Sequence, residues 1–181
     1  GQYGWGTAIY LTLYMTVISF IIGGFLGLVT GLLLVLTRPG GVIENRIVFQ
    51  ILDKITSLFR AIPFIILLAF INPLTYLLLK NTIGPTAALV PLSLAVFPFF
   101  ARQVQVVLSE LDGGVIEAAQ ASGATFWDIV GVYLREGLPD LIRVTTVTII
   151  SLIGETAMAG AVGAGGLGTL AINYGKNMFN N

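Results

Sequence analysis

Residues 1–37, 61–79 and 81–101 contain no Asp, Glu, Lys or Arg, and that absence decides the solvent in which this chain folds. About 20 consecutive apolar residues cross the hydrocarbon core of a bilayer as a helix, so each run is long enough to span it. A fourth apolar run, from about residue 141 to 160, carries Arg143 at its start and Glu155 further in. None of the runs alternates strictly between apolar and polar residues, which excludes barrel strands and leaves helices, whose backbone groups pair internally. Composition agrees, with 56% of residues hydrophobic and 10% charged, against about 25% charged in a soluble domain. The expected fold is all-α, a polytopic transmembrane helix bundle, with residues 1–181 forming one domain.

Several functions are excluded by what the chain lacks. With no Cys and no His, there is no disulfide framework, no thiolate nucleophile and no imidazole to act as base or metal ligand. No metal site and no cofactor are expected in this chain. Nine cationic and nine anionic side chains are scattered, so no basic stripe marks a nucleic-acid partner. The chain opens at Gly1 without a basic leader, so the first apolar run does not read as a secretory signal, and a short upstream segment is expected.

Lys and Arg also set the orientation. Arg38, Arg46, Lys54, Arg102, Arg135 and Arg143 fall in the connections after the first and third spans, whereas Lys80 and Lys176 fall on the other side. The positive-inside tendency places residues 38–54 and 102–143 in the cytoplasm and the N-terminus with residues 73–84 outside. Membrane lipid is therefore one partner. The second span is the irregular one: a helical pattern runs from about Glu44 to Ile71 but includes Asp53, Lys54 and Arg60. Either its first half lies in the cytoplasmic interface or Arg60 is buried in the bundle. Pro63 removes a backbone donor within this pattern and predicts a kink. Pro91 and Pro98 do the same within the third span, which starts at about Thr86.

Gly23, Gly27 and Gly31 recur every four residues along the first span and place three bare backbone patches on one helix face. That face either packs within the bundle or receives another subunit. Glu155 is the isolated ionisable group deepest in a span. Such a group is costly unless it faces protein or water, so Glu155 is a translocation-path candidate or a wetted residue near the outer helix end. Met158, one turn on, is a second path candidate or simple packing. The spacing Gly163-Ala164-Gly165-Gly166-Leu167-Gly168 imitates a dinucleotide loop, but it follows an apolar helix and no acid lies beyond Glu155. It reads instead as an outer turn. Gly175-Lys176-Asn177 fails as a phosphate loop, because Asn177 replaces Ser or Thr and Leu170 replaces the first Gly.

The polar interval from about residue 110 to 139 is organised. Asp112 is suited to cap a helix over Val115 to Ala121, and Gly123 to end it in a left-handed conformation. Thr125 and Asp128 have capping-box spacing, which starts a second short helix at Phe126 with Phe126, Val130 and Tyr133 on one face. Leu138-Pro139 marks the start of the fourth span.

This interval resembles the EAA loop of ABC importer permeases, which reads Glu-Ala-Ala, three residues, Gly, nine residues and an Ile-x-Leu-Pro ending. The match is Glu117-Ala118-Ala119-Gln120-Ala121-Ser122-Gly123. Tyr133, Arg135 and Glu136 depart from the expected ending, and Leu138-Pro139 arrives three residues late. The likeness continues through Thr37-Arg38-Pro39-Gly40, through Phe59 to Leu68 and through Ala157 to Gly168. Over nearly the whole chain it is similar to the permease of a methionine ABC importer.

That resemblance implies a type I ABC importer permease fold in a bacterial cell membrane. It implies a second copy of the permease, cytoplasmic ATP-binding subunits that hold ATP and Mg, and an external substrate-binding protein. The permease itself would not be an enzyme. Glu117, Ala118, Ala119, Gly123, Thr125, Phe126 and Trp127 would couple it to the ATPase. The family normally has a fifth span, which would follow Asn181, so the chain is expected to lack its final helix. Two other transport readings remain: a secondary transporter without an ATPase, which should show internal repeats and coupling-ion residues at the midplane, and an ABC permease for another small polar substrate. A membrane-embedded enzyme would need a pair of acids, a His or a Cys within the spans.

Overall fold

Where the surroundings are lipid, burial of apolar surface cannot drive one helix onto another, so packing surfaces are made of small residues that let backbones approach. The computed structural model describes residues 4–161 and 167–179. Among the described residues there is no strand, and nine helices follow in order: α1 (Trp5–Thr37), α2 (Arg46–Ala61), α3 (Phe64–Phe70), α4 (Asn72–Leu79), α5 (Pro85–Ser109), α6 (Gly113–Ala121), α7 (Phe126–Glu136), α8 (Leu138–Ala161) and α9 (Leu167–Phe179).

The α1–α5 pair forms the spine. A Cβ on Gly23 would stand 2.6 Å from the Ser93 carbonyl oxygen, one on Gly27 2.8 Å from that of Phe97, and one on Gly31 2.6 Å from that of Ala101. Residue numbers rise together along both helices, so α1 and α5 run parallel. The glycine stripe thus faces a helix of its own chain. Thr12, Thr16, Ser19 and Thr30 are buried with it, while Ile9, Leu13, Val17, Ile21 and Phe25 are exposed on α1. Large aliphatics outside and small or hydroxylated residues inside are what a lipid-facing helix requires.

Helix α8 returns antiparallel to α5. Gly137, immediately before α8, lies against Leu108 near the end of α5, and Ala159 shares a cavity with Ala87 and Ala88 near its start. Among the described residues, helices α1, α5 and α8 are long and apolar enough to cross a membrane. Pro91 and Pro98 sit buried inside α5 without ending it.

The second expected span differs from the sequence reading. The pattern from Glu44 to Ile71 is not one kinked helix: it breaks at Ile62-Pro63 into α2 and α3, and α4 follows directly. Pro63 has no N–H and its ring crowds the carbonyl four residues earlier. The residue before it is pushed out of the helical region, and Ile62 is extended at φ −81°, ψ 119°. Asn45 caps α2, its side chain accepting from the amides of Ile47 and Val48. Arg60 is exposed, which removes the reading that buries it in the bundle.

Helix α9 packs on α1 and α8. The rings of Trp5 and Tyr174 stack with centroids 6.0 Å apart. Of the outer turn expected at Gly163 to Gly168, residues 163–166 lie outside the described residues, and Leu167 and Gly168 instead open α9. Gly175, Lys176 and Asn177 fall within α9.

Candidate functional site: the capped helix pair between α5 and α8

The polar interval folds as two short helices because each of their ends is locally satisfied. Asp112 Oδ1 accepts from the Gly114 amide at 2.9 Å and starts α6. At its other end the Ala124 amide donates to the Ala119 carbonyl and the Gly123 amide to that of Gln120, both at 3.1 Å. This is a Schellman closure, which needs a left-handed residue, and Gly123 supplies it at φ +84°. The chain then enters a complete capping box. The Asp128 amide donates to Thr125 Oγ1 at 3.2 Å, and the Thr125 amide donates back to Asp128 Oδ2 at 2.9 Å. The backbone bond from Thr125, and then its hydroxyl, hold the exposed Asp128 carboxyl below its ordinary pKa of 3.8.

Three side chains fasten this pair to the bundle. Ile116 from α6 and Ile129 and Tyr133 from α7 are buried in the same apolar cluster as Leu108 and Leu141. The face expected on α7 was Phe126, Val130 and Tyr133; instead Ile129 joins Tyr133 four residues on, and Phe126 is exposed. Tyr133 belongs to both faces and Val130 packs half-buried against the same cluster, so the difference is the exchange of Phe126 for Ile129 at one edge of the face. Gly137 was also not anticipated. A Cβ there would meet Leu108 Cδ2 at 2.5 Å and the Tyr133 carbonyl at 2.9 Å, so its small size sets how tightly α7 and α8 turn against α5. A lone Gly between two helical patterns was the available signal.

The outward face carries the candidate coupling residues. Glu117, Ala118, Gly123, Thr125, Phe126 and Trp127 are exposed, and Ala119 is half-buried. Trp127 is 75% exposed, and its ring meets that of Phe126 edge-on at 5.2 Å between centroids. An exposed aromatic pair beside a carboxylate and small alanines, on helices anchored from behind, suits a protein partner, since aromatic anchors dominate such contacts.

Glu155 and Met158 are in α8, far from this pair. Glu155 lies 17 residues past Leu138, or about 26 Å of helix; it is half-buried, and Met158 is exposed. Near them, a cavity of about 500 Å³ opens between α3, α4, α5 and α8. Its walls are aliphatic with Asn72, Thr75 and Thr82 as polar points, and Ala159 supplies the α8 wall. Among the described residues no group of acids could hold a metal ion.

Spanning helices with a lipid-facing exterior, holding a capped polar helix pair at one end, define the membrane subunit of a transport system. Residues 23–181 match the family described as binding-protein-dependent transport system inner membrane component, and the chain belongs to that family. It is a multi-pass membrane permease. It is similar to the probable D-methionine transport system permease protein MetI of Pasteurella multocida (strain Pm70), with 49% identity over 92% of this chain and 77% of that protein. It is also similar to the D-methionine transport system permease protein MetI of Escherichia coli (strain K12), with 45% identity over 84% of this chain and 70% of that one.

Among solved structures, it superimposes on a chain of the inward-facing MetNI methionine ABC transporter with a TM-score of 0.91 and 45% identity, covering 94% of this chain and 80% of that one. A chain of an amino acid ABC transporter solved with histidines matches with a TM-score of 0.75 at 17% identity, over 97% of this chain and 79% of that one. This second likeness shows a shared fold.

Proposed function

We propose that this chain is the membrane subunit of an ATP-driven importer of methionine, working as a pair of permeases on two cytoplasmic ATPase subunits and fed by an external binding protein. The permease catalyses no chemistry itself, and ATP and Mg are held by the partner subunits. Methionine as the substrate is supported by the D-methionine permeases to which the chain is similar. The single observation that carries the coupling role is the outward face of α6 and α7, where Glu117 and Trp127 are exposed on helices fixed from behind by Ile116, Ile129 and Tyr133.

The mechanism that fits is a population shift. Closure of the ATPase pair on ATP moves its docking clefts, and a bundle follows only if α6 and α7 dock differently in its two states. Moving such an equilibrium from about 1:99 to 99:1 requires about 5.5 kcal/mol of differential binding. The short helices are rigid because their ends are satisfied, so displacement passes to α5 and α8 instead of being lost in the loop.

Glu117→Lys reverses the charge at the exposed face without touching the buried anchors. Labelled methionine uptake in vesicles containing the permease and its ATPase should fall at least tenfold, while membrane insertion is unchanged. Unimpaired uptake by this variant would refute the assignment. Uptake by the wild type that runs on an ion gradient without ATP would instead identify a secondary transporter.

A further inference from the structure

Where α2 meets α5, a single guanidinium gathers four acceptors. Arg102 Nη1 donates to Asp53 Oδ1 at 2.8 Å and to Gln105 Oε1 on its own helix. Its Nη2 donates to Ser57 Oγ at 2.7 Å and to the Asp53 carbonyl at 3.3 Å. Residues 53 and 57 are one turn apart and share a face of α2, so the fork grips that face at two levels. The Arg102 side chain is 17% exposed and that of Asp53 40%, which shields the pair from full solvent screening. Among the described residues the other ion pair, Asp140 with Arg143, lies within α8. Arg102 to Asp53 is therefore the ion pair that joins two helices.

The place of this clamp gives it a consequence. Arg102 lies seven residues before the end of α5, or about 10 Å of helix, and α5 leads through Asp112 directly into α6. On the other side, α2 leads through the extended Ile62 and Pro63 into α3, whose Ile65, Leu68 and Ala69 wall the cavity. The α1–α5 contact is close and small-residued, with no interhelical ion pair to set its rotation. By contrast, a planar guanidinium bonded through both terminal nitrogens fixes rotation as well as distance.

We infer that Arg102 is a positioning residue that locks α2 to α5, so that displacement of α6 is carried into α3 at the far end of the cavity with Ile62-Pro63 as the joint. This rests on the reading of α6 as the helix that docks on the ATPase. Without the clamp, α5 moves and α2 stays behind, so ATP is hydrolysed while the cavity wall does not follow.

The test uses the complete complex of permease and ATPase in proteoliposomes, with methionine molecules transported per ATP hydrolysed as the readout. Arg102→Gln and Asp53→Asn should each lower that ratio about tenfold, an ordinary size for coupling between sites. ATP hydrolysis by the complex and the amount of copurified ATPase should stay at wild-type values, which a staple needed only to hold the complex together would not allow. The double variant should fall no further than either single, because both act on one joint. An unchanged ratio in both singles, or losses that multiply in the double, overturns the inference. If Arg102→Gln does not assemble, Asp53→Asn, on the more exposed side of the pair, decides by the same ratio. A wild-type complex with no ATP-driven uptake would overturn the docking reading itself. A transporting wild type matched by its variants overturns the clamp alone.

Discussion

A Cβ placed on Gly31 would lie 2.6 Å from the carbonyl oxygen of Ala101, so α1 approaches α5 more closely than any larger residue permits. Backbone, which cannot swing aside as a flexible side-chain tip can, forms the other wall of that contact. Gly31→Val must therefore push the two helices apart. We expect a loss of about 1–3 kcal/mol, the usual cost of overpacking, seen as a lowered thermal midpoint in detergent micelles. Gly6→Ala is the control, because nothing lies within 4 Å of a Cβ there. Equal midpoints for Gly31→Val and wild type would show that this face does not carry the contact.

Gly123 poses a different problem, since the space around it is open and only its backbone angle is demanding, at φ +84°. A β-branched residue in that conformation is strained by about 1–2 kcal/mol. Gly123→Val should loosen the amides of Ser122, Gly123 and Ala124, which close α6, and raise their hydrogen-exchange rates. Gly123→Asn should do so far less, because Asn tolerates the left-handed region. Equal exchange in the two variants would place the origin elsewhere than in the backbone.

The capping box at the start of α7 gives a pH signature. The Asp128 pKa is lowered from 3.8 by its bonds from Thr125, so the folded form holds its proton less tightly than the unfolded form. The contribution is then fully present above the unfolded value and is lost as pH falls through the lowered folded value. Protection of the Thr125 amide, corrected for intrinsic exchange, should persist down to about the ordinary carboxylate value and drop only below it. In Asp128→Asn that acid step should disappear, and a step that survives the substitution would assign it to another group.

Much of this could be read along the chain. The spans α1 and α5 are visible as charge-free runs and α8 as an apolar run that carries Arg143 and Glu155, and the caps at Asp112, Gly123 and Thr125 are visible as residue types at fixed spacing. Pro63 was visible too, but whether a proline kinks a helix or ends it depends on whether neighbours satisfy the freed carbonyls, and that information lies in other segments. The buried face of α7 holds Tyr133 and Val130 as expected but takes Ile129 in place of Phe126, for a similar reason: both are apolar, and only the position of Leu108 and Leu141 selects Ile129. Helix α9, short and mixed in polarity, gave little periodic signal before its packing against α1.

Hydropathy, capping and turn chemistry act over a few residues, and so the amino-acid order alone establishes a membrane-spanning helical chain with a rigid polar pair of helices between two spans. Which surfaces meet is a different kind of fact. The grip of Arg102 on Asp53 and Ser57 joins residues 49 and 45 positions apart, and the contact of Gly31 with Ala101 joins two separate spans. These pairings exist only once the helices have packed, because in lipid it is the match of small residues and hydrogen-bonding groups across helices that selects one arrangement.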